Sequence, residues 1–196
     1  MNEPLGYAVG NTIEVIEAIK ALKGDMPEDL RNIVLELGSH MIKLAGKGKN
    51  IEENKQKMIE NIKNGKAYNK FLEMVSNQNG DISYIENPEK FERAKYIIPV
   101  YAKQEGHIYE INAEEVGKLA CKLGAGRVRK EDSIDKTVGI EICKKVAEYV
   151  KKGDILAYIH LNGEEKHEES ANELLNIFKI SEDTKEKEKT ILGVID

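Results

Sequence analysis

The chain has 196 residues, enough for one sizeable domain or two small ones. Charged residues make up 33% and hydrophobic residues 40%, and a net charge of −5 with lysine and glutamate interspersed leaves no basic footprint for nucleic acid. No apolar run approaches the ~20 residues needed to span a bilayer, and no signal-peptide pattern stands at Met1, so no membrane association is expected. Cys121 and Cys143 are too few and too oddly placed for a disulfide framework; they read as reduced thiols of a cytoplasmic protein, small residues of the core.

Residues 1–11, punctuated by Pro4, Gly6 and Gly10, read as a functional loop. Its two glycines let backbone approach another group and present carbonyls or N–H groups. Asn11 and Glu14 have the form of a capping box, and Ile13, Ile16, Ile19 and Leu22 make the apolar stripe of a helix ending at Lys23-Gly24. Pro27, Glu28 and Asp29 suit the first turn of a second helix. The stripe of that helix is Leu30, Ile33, Val34, Leu37, Met41 and Leu44, and it stops at Gly46 and Gly48. Two shorter, more polar helices are expected near 51–64 and 66–77. After Asn77-Gln-Asn-Gly80 the pattern changes. Segments rich in Ile, Val and Tyr at Tyr96–Tyr101, His107–Ile111, Thr137–Cys143 and Ile155–His160 read as strands. Helices are expected near Ala113–Leu123 and from about Glu165 to Phe178, followed by a charge-rich connector over 181–189 and a final strand over Thr190–Ile195. The fold class is therefore mixed α and β: a helical piece over residues 1–86 joined to a small α+β module over 87–196.

Three motifs have competing meanings. Val146 to Ile159, with a Lys-Gly-Asp turn and Leu-Ala-x-Ile, resembles the way biotinyl and lipoyl carrier domains enter a strand. However, residues 112–136 interrupt the repeat, no Met-Lys-Met or Asp-Lys-Ala tip is present, and Lys151 and Lys152 read as solubilising, which favours an unmodified barrel-like scaffold. In Leu123-Gly-Ala-Gly-Arg127 the backbone N–H groups could hold an anion with Arg127 as counter-charge. The favoured alternative is a glycine cap and a tight return to the sheet, because the glycines follow a helix rather than precede one. His40, His107, His160 and His167 form neither a nucleophile–base pair nor a metal-binding spacing, and no catalytic role is assigned to them.

Taken together, the motifs carry a resemblance. Met1–Gly24 resembles the Met-x-x-Pro-Leu-Gly-x-Ala-Val-Gly-Asn-x-x-Glu-Val segment of pyrimidine-nucleoside and thymidine phosphorylases. Residues 106–162 resemble the family's C-terminal domain through Glu-Gly-His-Ile-Tyr, Leu-Gly-Ala-Gly-Arg, Ile-Asp-Lys-Thr-Val-Gly-Ile and Val-Lys-Lys-Gly-Asp. The resemblance implies a helical part of the phosphorylase α/β domain followed by a barrel-sandwich, hammerhead-like C-terminal domain. It also implies phosphorolysis of pyrimidine nucleosides by inorganic phosphate, giving base and pentose 1-phosphate. The family's Lys-His-Ser-Thr-Gly-Gly phosphate cradle has no counterpart here, and its Arg and Ser-x-x-x-Lys base-binding elements are assigned to no residues of this chain. They are expected upstream of Met1, which makes this chain the C-terminal half of such an enzyme, inactive alone and partnered by an N-terminal half or a second copy.

One family site carries over by position. A potassium ion is expected on the backbone carbonyls of Leu5 and Ala8 and the carboxylate of Glu17, because a hard, weakly polarising cation prefers oxygen. Glu17, one turn and a half into its helix, leans back over the loop; without the loop it would read as a solvated surface residue. Catalytic residues are expected elsewhere. A non-catalytic scaffold or carrier-like binding module, and an AMP-directed phosphorylase of similar architecture, remain as alternatives. The stripes Ile13–Leu22 and Leu30–Leu44 are expected to leave apolar surface exposed in the isolated chain.

Overall fold

A computed structural model describes residues 3–127, 129–187 and 189–195; Met1 and Asn2 of the expected loop and Glu188 of the expected connector lie outside them. The chain divides into two compact units interleaved in sequence, one of residues 1–15 and 91–188, the other of residues 16–90 and 189–196.

The first unit contains all the strands among the described residues. These are β1 (Ala8–Gly10), β2 (Tyr96–Tyr101), β3 (Gly106–Ile111), β4 (Gly139–Ile142), β5 (Tyr149–Val150), β6 (Ile155–Leu161) and β7 (Phe178–Ser181). They form two antiparallel sheets, ordered β1-β4-β6-β2 and β5-β3-β7. The unit also holds α6 (Ala113–Ala120) and α7 (His167–Ile177). Asn112 caps α6 by accepting the N–H groups of Glu114 and Glu115 at 3.1 and 3.2 Å, which satisfies two of the donors a helix start leaves open. Alternate residues of β4 and β6 (Ile140, Ile142, Ala157, Ile159, Leu161) join Ile108, Ile111, Val116, Leu119, Val150 and Leu174 in one dry core. Aliphatic side chains fill it, as a sequence without tryptophan and poor in phenylalanine requires.

The helices of the second unit are α2 (Glu28–Leu44), α3 (Ile51–Lys63), α4 (Lys66–Asn77) and α5 (Ser83–Glu86); α1 (Thr12–Leu22) begins in the first unit and continues into the second. Asn50 caps α3 by accepting the Glu53 N–H at 3.1 Å. Asn54, fully buried, donates to the carbonyls of Ser39 and Gly48 at 3.1 and 3.3 Å and so fixes α3 to α2 and its C-terminal turn. Gly38 makes room for the same pairing, since a Cβ there would stand 2.3 Å from the terminal carbon of Met58.

The mixed α and β class, with a helical piece and a small α+β module, is the one the sequence predicts. Several boundaries differ. Residues 8–10 form β1 rather than loop. The helix expected to reach Phe178 stops at Ile177, and Phe178–Ser181 pairs with β3 as β7, with Phe178 opposite Ile111. Residues 190–195 form no strand: Gly193 interrupts the apolar run, and Leu192 and Ile195 are fully exposed. The expected capping box is replaced by a different pair of bonds. Glu14 accepts the N–H of Gly10 at 2.7 Å, while the Asn11 side chain turns away and donates to Ala125 O at 2.7 Å. Among the described residues no helix is long and apolar enough to cross a membrane.

Candidate functional site

The loop before β1 is held against the strand-rich unit at several points. The Glu3 carboxylate accepts the Val146 N–H at 2.9 Å. The side-chain nitrogen of Lys145, itself buried, donates to Pro4 O and lies 5.4 Å from the centre of the Tyr7 ring. Gly6 turns the chain with φ +67°, a conformation an L side chain adopts only at a cost. Tyr7 O then accepts the Ile142 N–H at 2.7 Å, and β1 runs along β4 in the register Ala8 to Glu141, Val9 to Ile140 and Gly10 to Gly139.

This register decides where the carbonyls face. In an antiparallel ladder, bonded and non-bonded pairs alternate. With Tyr7 opposite Ile142 as a bonded pair, Ala8 is the non-bonded partner of Glu141, and its carbonyl is aimed away from β4. Because β1 is the outermost strand of its sheet, the ladder makes no use of that oxygen. Leu5 is half-buried at the turn just before Gly6. Glu17 lies in the second turn of α1, half-buried, in the part of that helix that belongs to the second unit. A short loop that offers main-chain oxygens suits a hard monovalent cation, which needs oxygen donors and little charge. Among the described residues no three of His, Cys, Asp and Glu cluster as a metal site.

The far end of the loop is tied to the segment before β4. Thr12 N donates to Lys136 O at 3.1 Å, and Asn11 reaches Ala125. Gly124, at φ +114°, ends the helical turn Cys121–Ala125, and its carbonyl accepts the Asp135 N–H at 2.9 Å. The glycine turn thus works as a cap and return, its carbonyls receiving the donors of Asp135 and Asn11. Asp135 accepts the Thr137 hydroxyl and N–H at 2.7 and 2.9 Å and the Asn162 amide at 2.6 Å. Burial pushes the Asp135 carboxyl up, but the bonds from Thr137 and Asn162 outweigh it and hold the group below its ordinary range. Asn162 in turn accepts the Lys95 N–H at 2.7 Å, so one side chain joins the starts of β2 and β4 to the end of β6.

The histidines occupy packing positions. His40 lies 3.2 Å from Glu36, His107 meets Tyr149 edge-on with ring centres 5.2 Å apart, and His167 meets Tyr96 at 4.5 Å. His160, buried on β6, lies 3.5 Å from the Glu141 carboxylate. Cys121 and Cys143 are half-buried free thiols rather than core residues, and burial pushes the Cys143 thiol up, away from the reactive thiolate. Lys151 and Lys152 are exposed on the Lys151–Asp154 turn.

Residues 107–181, from β3 through β7, match the model of the pyrimidine nucleoside phosphorylase C-terminal domain. The chain is 49% identical over 165 residues to a pyrimidine-nucleoside phosphorylase of Staphylococcus epidermidis (strain ATCC 12228 / FDA PCI 1200), covering 84% of this chain and 38% of that protein. It is 48% identical over 177 residues to the Bacillus subtilis (strain 168) protein of the same name, covering 90% and 41%, and 46% identical over 165 residues to that of Geobacillus stearothermophilus, covering 84% and 38%. Residues 107–181 belong to the pyrimidine nucleoside phosphorylase C-terminal domain family. The chain spans about two fifths of the length of the curated relatives it matches. The loop that bears Leu5 and Ala8 lies outside the matched C-terminal domain, yet Glu3, Pro4 and Tyr7 all bond to residues inside that domain. Nothing in the periodicity of the sequence marks Glu3, Lys145 or Asn162, because each acts through contacts with residues far away in the chain. Only the Asp135-x-Thr137 spacing is a local signal, that of a side chain bonding its own backbone two residues on.

Proposed function

We propose that this chain takes part in the phosphorolysis of pyrimidine nucleosides or deoxynucleosides in the cytoplasm. In this reaction inorganic phosphate attacks the sugar carbon of the glycosidic bond, the nucleobase leaves with the bonding electron pair, and a pentose 1-phosphate is formed. The observation that carries the reading is 49% identity over 165 residues to a protein named for this activity. The departing base and the incoming phosphate both need oriented, charged partners. The sequence contains no Lys-His-Ser segment, and we assign the groups that hold phosphate and base to another segment, as an N-terminal half or within a dimer.

The contribution we assign to this chain is positional. Leu5 and Ala8 offer carbonyl oxygens to a potassium ion, which, when bound, supplies a fixed positive charge that orders the loop. The outward carbonyl of Ala8 supports this. The C-terminal module provides the rigid body on which the loop is mounted.

The test is to assay uridine and thymidine phosphorolysis with this chain alone, with the N-terminal part of a pyrimidine-nucleoside phosphorylase alone, and with both together. Turnover that needs both polypeptides and is higher in potassium than in sodium is expected. Turnover by this chain alone, or none from a mixture shown to associate, overturns the assignment.

A further inference from the structure

Lys145 is buried, with 7% of its surface exposed, in a protein whose other lysines can reach water far more cheaply. Taking an ammonium group out of water costs several kcal/mol unless it is well partnered, so its position calls for a reason. Two of its partners are in the loop: Pro4 O accepts from Nζ, and the Tyr7 ring presents its face at 5.4 Å. These two contacts bracket Leu5 and Gly6 in sequence, and Ala8 follows directly.

The other end of the lysine is rigid. It stands on the turn 145–148, where Lys145 N donates to the Glu148 carboxylate at 2.9 Å and Glu148 N donates back to Lys145 O at 3.2 Å. Ala147 at φ +75° gives the turn its shape. Ala147 N donates to Ile108 O at 2.8 Å and Ile108 N to Glu148 O at 2.9 Å, which fixes the turn to the centre of β3, where Ile108 is fully buried.

We propose that Lys145 is the positioning residue of the cation-site loop, a clamp that runs from the core of the C-terminal module to the carbonyl before Leu5 and the ring before Ala8, setting the direction of both carbonyls. The ligand role of those carbonyls rests on the reading under Proposed function; the clamp is decided separately.

Amide hydrogen exchange of the whole chain, read peptide by peptide in potassium and in sodium, tests both. In K145M the stem is kept and the donor lost. Exchange over residues 5–10 is expected to rise about ten-fold or more while β3 and β6 keep their protection, and any extra protection of the loop by potassium is expected to fall by a similar factor. A Lys145 that only fills the core predicts the reverse, a uniform change across β3 and β6 or none at all, and either result overturns the clamp. Should K145M not fold, Y7L reads the clamp from its other contact: faster loop exchange supports it and unchanged exchange overturns it. A wild-type loop protected no better by potassium than by sodium overturns the ligand role of Leu5 and Ala8, and the exchange comparison still decides whether Lys145 holds the loop.

Discussion

Gly10 and Gly139 face each other across the β1–β4 ladder, and there the backbones come closer than side chains allow. A Cβ on Gly139 would stand 2.6 Å from Val9 O and 2.8 Å from the end of Ile13; one on Gly10 would stand 2.9 Å from Val138 O. A carbonyl oxygen cannot swing away as a side-chain tip can, so Gly139→Ala must push β1 off its register. A loss of about 1–3 kcal/mol is expected, read as a lower midpoint in urea unfolding. Gly117→Ala is the control. It sits inside α6 with open space around its Cβ, and the exchange is expected to stabilise by about 0.5–1 kcal/mol. At Asp135 the sign follows from the lowered carboxyl. A group whose folded pKa lies below its unfolded one stabilises the fold above the unfolded value, about 3.9 for Asp, and loses that contribution as pH falls through the folded value. Asp135→Asn is therefore expected to be less stable than wild type at pH 7, with the gap closing below about pH 4 in thermal melts taken across the acid range.

At the scale of elements, the chain was most legible where the period was long and the ends were marked. The four helices between Thr12 and Asn77 carry apolar stripes and are closed by Gly24, Gly46 or Asn64, so their spans fall within a few residues of expectation. β1 and β7 were not legible. β1 has three residues and owes its existence to the edge of β4, while β7 follows α7 at once, with no glycine or proline to announce the change. In both cases a distant partner, Ile140 or Ile111, decides the local conformation. Pro4, Gly6 and Gly10 mark the loop in the sequence because they are local signals, whereas its anchor Lys145, 141 residues from Pro4, carries no such mark. The stripe of α2 has a further consequence. Leu37, Met41 and Leu44 lie one turn apart and are 54%, 66% and 87% exposed, which is an apolar strip open to solvent. Concentration-dependent self-association of the chain is expected by sedimentation velocity. The double substitution Met41→Lys with Leu44→Lys is expected to abolish it with little change in the melting temperature, since neither side chain contributes to a core.

At the scale of the whole molecule, the interleaving of the two units is the feature a linear reading misses. A boundary between residues 86 and 87 separates helical from mixed sequence, but in space residues 1–15 belong with 91–188. The reason lies in the strand order: β1 is the outer strand of the sheet β1-β4-β6-β2, and without it β4 becomes the edge. An uncovered edge loses the ladder bonds of β1 and presents unpaired backbone groups to other chains. Removal of residues 1–10 therefore tests whether the loop is an appendage or a part of the module. If it is an appendage, the shortened chain melts as the full chain does. If β1, Glu3 and the Lys145 contact are structural, the shortened chain takes the Pro4 and Tyr7 contacts away from Lys145 and exposes β4, both of which cost free energy. The second outcome is expected, as a fall of several degrees in the transition reported by circular dichroism of the strands, together with aggregation that the full chain does not show. Adding Lys145→Met to the shortened chain is expected to recover part of the loss, because it removes the charge and keeps the aliphatic stem. The same substitution in the full chain frees the loop and gives no such recovery. This opposite response would separate the cost of a buried ammonium from the value of the contact it makes.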